Sequence, residues 1–220
     1  MVDMIIMSLH RAIRSDWSEV PPQKRNIWQR WAAASHGVLT PGNLISIIGA
    51  ALVIFGLYLL TQDYLISGFA TVIVGRLADI LDGLLAELTK TKSPLGEGVD
   101  ASIDKILIVV SLFVLLDRQL IPLLIGIVMA IHAIYMIVLS SISRRVKTFL
   151  HPSRSGKLCA VFEWLSVGLF LLYDIFKQQN ISTTIVFMFA LISFGLFVYS
   201  AIWSTLNYTR KVYYKQTMSP

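Results

Sequence analysis

YLISGFATVIVGRLADILDGLLAELTKTKSPLGEGVDASIDKILIVVSLFVLL, residues 64–116, begins and ends as hydrocarbon and holds four aspartates between. Asp79 and Asp82 are spaced i,i+3, and Asp100 and Asp104 i,i+4. On helices each pair shares one face. Carboxylates at the edge of membrane helices are costly unless something binds them. A divalent metal site is the natural explanation.

The sequence outside this stretch sets the fold class. The chain has 220 residues, 55% of them hydrophobic, with a net charge of +6. That apolar share exceeds the ~45–50% of soluble domains, and it is concentrated in long runs. A membrane helix needs about 20 mostly apolar residues. Leu44–Leu60, Leu120–Leu139 and Ile181–Trp203 read as such spans, and so does Leu158–Phe176 with Glu163 inside it. Tyr64–Leu88 and Val99–Leu116 are partly polar and carry the aspartates. The expectation is an all-α integral membrane protein: six transmembrane helices with an N-terminal amphipathic surface helix. Three segments follow: 1–39 as the amphipathic and juxtamembrane part, 40–209 as the six-helix domain, and 210–220 as a polar tail.

Positive charges lie on alternate sides of the spans. Arg11, Arg14, Lys24, Arg25 and Arg30 precede the first span, and Lys90 and Lys92 follow the second. Arg144, Arg145, Lys147, Arg154 and Lys157 separate the fourth from the fifth, and Arg210, Lys211 and Lys215 follow the sixth. The opposite loops hold little beyond Arg118 and Lys177. The positive-inside rule places both termini and the aspartate loop in the cytoplasm. The basic balance is then a topology signal, and nucleic acid is not needed to explain it.

Val2, Ile5, Ile6, Leu9, Ile13 and Trp17 recur at helical spacing, as in a helix lying on the membrane surface. Pro21 and Pro22 end it, and a second short helix is expected over about residues 23–35, with Trp28 and Trp31 at the interface. Residues 40–43, Thr-Pro-Gly-Asn, read as a turn, and residues 93–96 as a chain reversal. No cleavable signal peptide is expected. The single cysteine, Cys159, rules out a disulfide framework and reads as a small apolar residue. Intramembrane Glu163 and His132 read as a mutual hydrogen bond inside the bundle.

Antiparallel neighbours could point all four carboxylates into one cavity. Oxygen-only ligation suits Mg²⁺ or Mn²⁺, and a pair of such ions suits phosphoryl chemistry. The rival reading has the aspartates capping helices or pairing with Arg76, Lys90 and Lys105. A cap could account for Asp100. It does not account for Asp79 and Asp82 near a helix C-terminus, where the dipole disfavours anions.

The chain resembles the CDP-alcohol phosphatidyltransferase family, whose signature is D-x2-D-G-x2-A-R-x8-G-x3-D-x3-D. Asp79, Asp82, Gly83, Ala86, Gly96, Asp100 and Asp104 match it with every spacing kept. Thr40-Pro41-Gly42-Asn43-Leu44 is similar to the family's opening of span one. Glu87 stands where the family has arginine. The resemblance implies attack by an alcohol on a CDP-linked lipid, usually CDP-diacylglycerol, with release of CMP. It implies that Asp79, Asp82 and Asp100 hold two metals, Mg²⁺ or Mn²⁺. Asp104 completes that site as general base, Gly83 and Ala86 admit the nucleotide, and the enzyme is a homodimer, by the same resemblance. Asp104-Lys105 and Ser153–Lys157 resemble the phosphatidylglycerophosphate synthases, although Glu163 replaces a glutamine. Arg144, Arg145, Arg154 and Lys157 could bind the phosphate of an acceptor such as glycerol 3-phosphate. Inositol phosphate, serine and phosphatidylglycerol are alternative acceptors. A member disabled at Glu87 and a cation-binding membrane protein are alternative functions. The topology suits a bacterial inner membrane.

Overall fold

The computed structural model describes residues 18, 20–37, 40–92, 94–145 and 154–218. The expected amphipathic helix over residues 2–17 lies outside the described residues, as do Lys147 and Pro152. The side chains of residues 94–99, 143–145, 154 and 211–218 are outside them as well.

Every regular element among the described residues is helical. A 3-10 turn, Pro22–Lys24, precedes α1, Ile27–Ala34. Six long helices follow: α2 Pro41–Thr61, α3 Leu65–Leu88, α4 Pro94–Asp117, α5 Leu123–Arg145, α6 Arg154–Gln178 and α7 Thr184–Met218. Within them, Pro41–Thr61, Leu123–Ile142, Ser155–Gln178 and Thr184–Arg210 are long and apolar enough to cross a membrane. α3 and α4 have the length, 24 residues each. Their apolar runs are broken by Arg76, Asp79 and Asp82 in α3 and by Asp100, Asp104, Lys105 and Asp117 in α4. The aspartates that suggest a site are the groups that remove these two helices from the apolar class. Large apolar side chains face outward along all six helices, among them Ile80, Phe113, Leu124, Ile185 and Tyr199. Such a surface is stable in hydrocarbon and not in water.

Local chemistry sets the helix ends. Thr40 caps α2: its Oγ1 accepts from the Asn43 amide at 3.1 Å, and Pro41 takes the first helical position. Residues 40–43 therefore start a helix instead of forming the expected turn. Pro94 likewise opens α4, so Asp100 lies well inside the helix and is not its cap. Asn26 and Gln29 form a reciprocal capping box on α1. Five non-glycine residues, His36, Asp63, Lys90, Gln119 and Asn180, take a left-handed conformation just past helix ends. At Lys90 the bonds Thr91 N–H to Ala86 O (2.9 Å) and Lys90 N–H to Glu87 O (3.1 Å) close α3 in a Schellman motif.

The described chain forms two compact units. Of the described residues, the first unit comprises those up to 53 and those within 71–104, and the second 54–70 and those from 105 onward. In the first, α2 and α3 approach closely through small residues. A Cβ on Gly75 would stand 2.6 Å from the Gly49 carbonyl oxygen, and one on Gly42 would stand 3.1 Å from Ala86 Cβ. Small residues let membrane helices pack at backbone distance. α1 covers the end of α3: Asn26 Nδ2 donates to Thr89 O (3.3 Å) and buried Gln29 Nε2 to Lys90 O (3.4 Å). These bonds satisfy carbonyls that the helix end leaves over.

In the second unit, α6 and α7 are joined by Ser166 Oγ donating to Ser193 Oγ (3.1 Å) and Ser193 Oγ donating to Phe162 O (3.3 Å). Arg118, beyond the end of α4, donates to Asp174 (2.5 Å), Asp63 (3.0 Å) and the Leu60 carbonyl (2.7 Å). Burial alone would lower the Arg118 pKa, but the bonds to Asp174 and Asp63 outweigh it and raise it.

Candidate active site

The α2–α3 contact positions the first aspartate. α2 carries Gly42, Ser46 and Gly49 along one stripe, spaced i, i+4, i+7, so it meets α3 with no bulky side chain between. Asp82 is buried there and accepts a hydrogen bond from Ser46 Oγ. Ser46 Oγ also reaches the Gly42 carbonyl at 3.1 Å. A hydroxyl at the tight stripe thus satisfies a carboxylate that hydrocarbon could not solvate.

The second feature is Arg76. Its Nη2 lies 3.0 Å from Asp79 Oδ2, one turn along α3, and 3.0 Å from Asp104 Oδ1 on α4. One guanidinium thus joins carboxylates from two helices, with all three side chains at least two-thirds buried. Asp79 also lies within electrostatic reach of Asp82. The structure brings Asp79 and Asp104 together and sets Asp82 against α2. Asp100 is half-buried one turn before Asp104.

The ion pairing of the rival reading is met at Arg76, while the Lys105 ammonium pairs with Glu163. Arg76 and Ser46 are the two residues that sequence reasoning did not assign to the site. Arg76 had a signal, its i−3 spacing to Asp79. Ser46 had a weaker one, its place in a stripe of small residues.

The two positions expected to admit a nucleotide differ. A Cβ on Gly83 would meet nothing within 4 Å, so packing does not require glycine there. Ala86 packs against Gly42, and its small side chain is needed for that contact. Glu87 is exposed and ion-paired with Lys92 at 3.4 Å. Lys157 is exposed on the first turns of α6, while the side chains of Arg144, Arg145 and Arg154 lie outside the described residues. His132 and Glu163 do form the expected bond, Nδ1 to Oε1 at 3.3 Å.

The acidic donor set is all oxygen, which suits hard divalent cations. Among the described residues no three His, Cys, Asp or Glu side chains converge into a ligand set. What is built is a cation position between Asp79 and Asp104, which Arg76 fills.

A match to the CDP-alcohol phosphatidyltransferase family covers residues 39–203, more than half of the chain. The chain belongs to the CDP-alcohol phosphatidyltransferase family. It is an enzyme of lipid biosynthesis, carried on membrane helices, that transfers a phosphatidyl group from a CDP-alcohol. Phosphatidyltransferases of this kind are typically metal-dependent. No curated protein and no solved structure matches the chain.

Proposed function

We propose that this phosphatidyltransferase uses CDP-diacylglycerol as donor and glycerol 3-phosphate as acceptor, in the manner of phosphatidylglycerophosphate synthases. The observation that carries the catalytic part is the joining of Asp79 and Asp104, from two helices, at one cation position. Asp79, Asp82 and Asp100 would hold two Mg²⁺ or Mn²⁺ ions, with Asp104 completing the set. When bound, the metals offset the charge of the pyrophosphate and of the departing CMP.

Asp104 takes the proton of the acceptor hydroxyl. The hydroxyl oxygen bonds to the phosphorus that carries the lipid. The bond from that phosphorus to the bridging oxygen breaks, and CMP leaves with the electron pair. Gly83, bordered by open space, admits the nucleotide, and Ala86 keeps α3 against α2 beside it. Lys157, with Arg144, Arg145 and Arg154, binds the acceptor phosphate. Six spans, both termini and the site on the cytoplasmic side, a bacterial inner membrane and a homodimer complete the proposal. So does the division into 1–39, 40–209 and 210–220. The charge placement supports the topology.

The second reading is a member that has lost catalysis at Glu87. The exposed pairing of Glu87 with Lys92 weighs against it, because it engages that carboxylate away from the aspartates.

The test is CMP release by purified protein in detergent with CDP-diacylglycerol, Mg²⁺ or Mn²⁺, and each acceptor in turn. Stimulation by glycerol 3-phosphate is expected, with loss on chelation. Asp100→Asn and Asp104→Asn should each lower release at least ~100-fold. Full activity in either variant would sink the mechanism. Release with serine, inositol phosphate or phosphatidylglycerol alone would reassign the acceptor. No release from folded protein would favour the degenerate member.

A further inference from the structure

The most heavily buried charge among the described residues lies outside the aspartate cluster. Glu163 of α6 has no exposed surface, and two polar side chains contact it. Lys105 Nζ of α4 donates to its Oε2. His132 Nδ1 of α5 lies 3.3 Å from its Oε1. His132 Nε2 lies 3.6 Å from Cys159 Sγ, one turn before Glu163 on α6. An ionised carboxylate only accepts, so the proton belongs on Nδ1. In the neutral ring, Nε2 then accepts from the thiol. The result is one chain of donors and acceptors through three helices of the second unit. Phe197 closes the histidine from the side, edge to face at 5.2 Å.

Burying an ion pair in an apolar interior gains little stability over apolar packing of the same shape. Removing one partner is costly, because it strands the other charge. This pair ties α4 to α6 at one position on each helix. Here the fixed residue is Lys105, which directly follows Asp104 in α4.

We propose that Glu163 is a positioning residue for the transfer reaction: by clamping Lys105, it fixes the rotation of α4 at the turn that carries Asp100 and Asp104. Consecutive residues of a helix are locked about 100° apart. A 20° rotation of the helix moves a side-chain tip by roughly 2 Å. A misplacement of ~1 Å can cost about 100-fold in rate. The proposal rests on the reading of Asp104 as the base.

The experiment uses the full chain in detergent and follows CMP release from CDP-diacylglycerol. Glycerol 3-phosphate, inositol phosphate, serine and phosphatidylglycerol are offered in turn, and the one that stimulates the wild type is kept. Glu163→Asp preserves the charge and withdraws it by about one methylene. It should lower the melting temperature modestly and kcat about tenfold, with KM for CDP-diacylglycerol unchanged. Lys105→Met strands Glu163 and should lower both stability and kcat. The double variant Lys105→Met/Glu163→Gln removes both charges. It should recover the melting temperature but not kcat. Wild-type kcat in Glu163→Asp, or in the double variant, would reduce the network to charge balance and overturn the proposal. Asp104→Asn separates the two failures. If it stays active, the base assignment fails; if it is inactive while Glu163→Asp turns over normally, only the positioning role fails.

Discussion

At the scale of single residues, two glycines of α3 have opposite meanings. Gly75 is required by packing, because a Cβ there would lie 2.6 Å from the Gly49 carbonyl and 2.9 Å from the Val53 amide nitrogen. Neither atom can move without moving α2. Gly75→Ala should destabilise the protein by about 1–3 kcal/mol, the usual cost of overpacking, read as a lower melting temperature in detergent. Gly83 has open space around it. Gly83→Ala should hold or raise the melting temperature, since it relieves a helix-interior glycine at no steric cost. If the nucleotide approaches there, the same substitution raises KM for CDP-diacylglycerol several-fold. An unchanged KM would remove Gly83 from the substrate site. In the sequence, Gly83 sits inside the signature and Gly75 does not. Only the packing separates a glycine the fold needs from one it does not.

At the scale of elements, helix ends were the least legible feature. Residues 40–43 and 93–96 contain the proline and glycine that signal turns, yet Pro41 and Pro94 sit at the first position of a helix. Proline serves both purposes, and the difference lies in whether the preceding residue caps, as Thr40 does. The Arg118 cluster is a second feature of this scale. One guanidinium donates to the Leu60 carbonyl near the end of α2 and neutralises Asp174 of α6, which is 6% exposed. Sequence reading had counted Arg118 only as a stray charge on the poorly charged side. Arg118→Ala leaves Asp174 buried without its cation. It should cost about 3 kcal/mol, seen as earlier unfolding in detergent. CMP release measured below that transition should be unaffected, because the cluster touches no proposed site residue. A proportional loss of activity at low temperature would show instead that the cluster is coupled to the reaction.

At the scale of the whole molecule, the apolar surface and the placement of charge make one prediction. The proposed six-span topology puts the α3–α4 connection and the end of α7 on one side of the bilayer. The α2–α3, α4–α5 and α6–α7 connections lie on the other. In a Cys159→Ser background, single cysteines at Lys92 and Lys215 should react with an impermeant thiol reagent only from the cytoplasmic face. Cysteines at Gln62, Gln119 and Gln179 should react only from the opposite face. Labelling of Lys92 and Gln62 positions from the same side would break the six-span reading, and α3 would then not cross. This is the point on which length and apolarity do not decide, since α3 and α4 have the length of a span and also carry the charges.

The sequence by itself determined the class of fold, the spans that are apolar throughout, and the family, because hydrophobic run length and the spacing of the aspartates are properties of the chain alone. It also determined that four carboxylates had to be accounted for, since hydrocarbon cannot solvate them. Only the tertiary structure decided how they are accounted for. Arg76 between Asp79 and Asp104, Ser46 on Asp82 and Lys105 on Glu163 join residues 28, 36 and 58 positions apart. No local spacing encodes such partners. They follow from which helix faces meet, and in α2 and α3 that is set by the small residues that let two backbones come together.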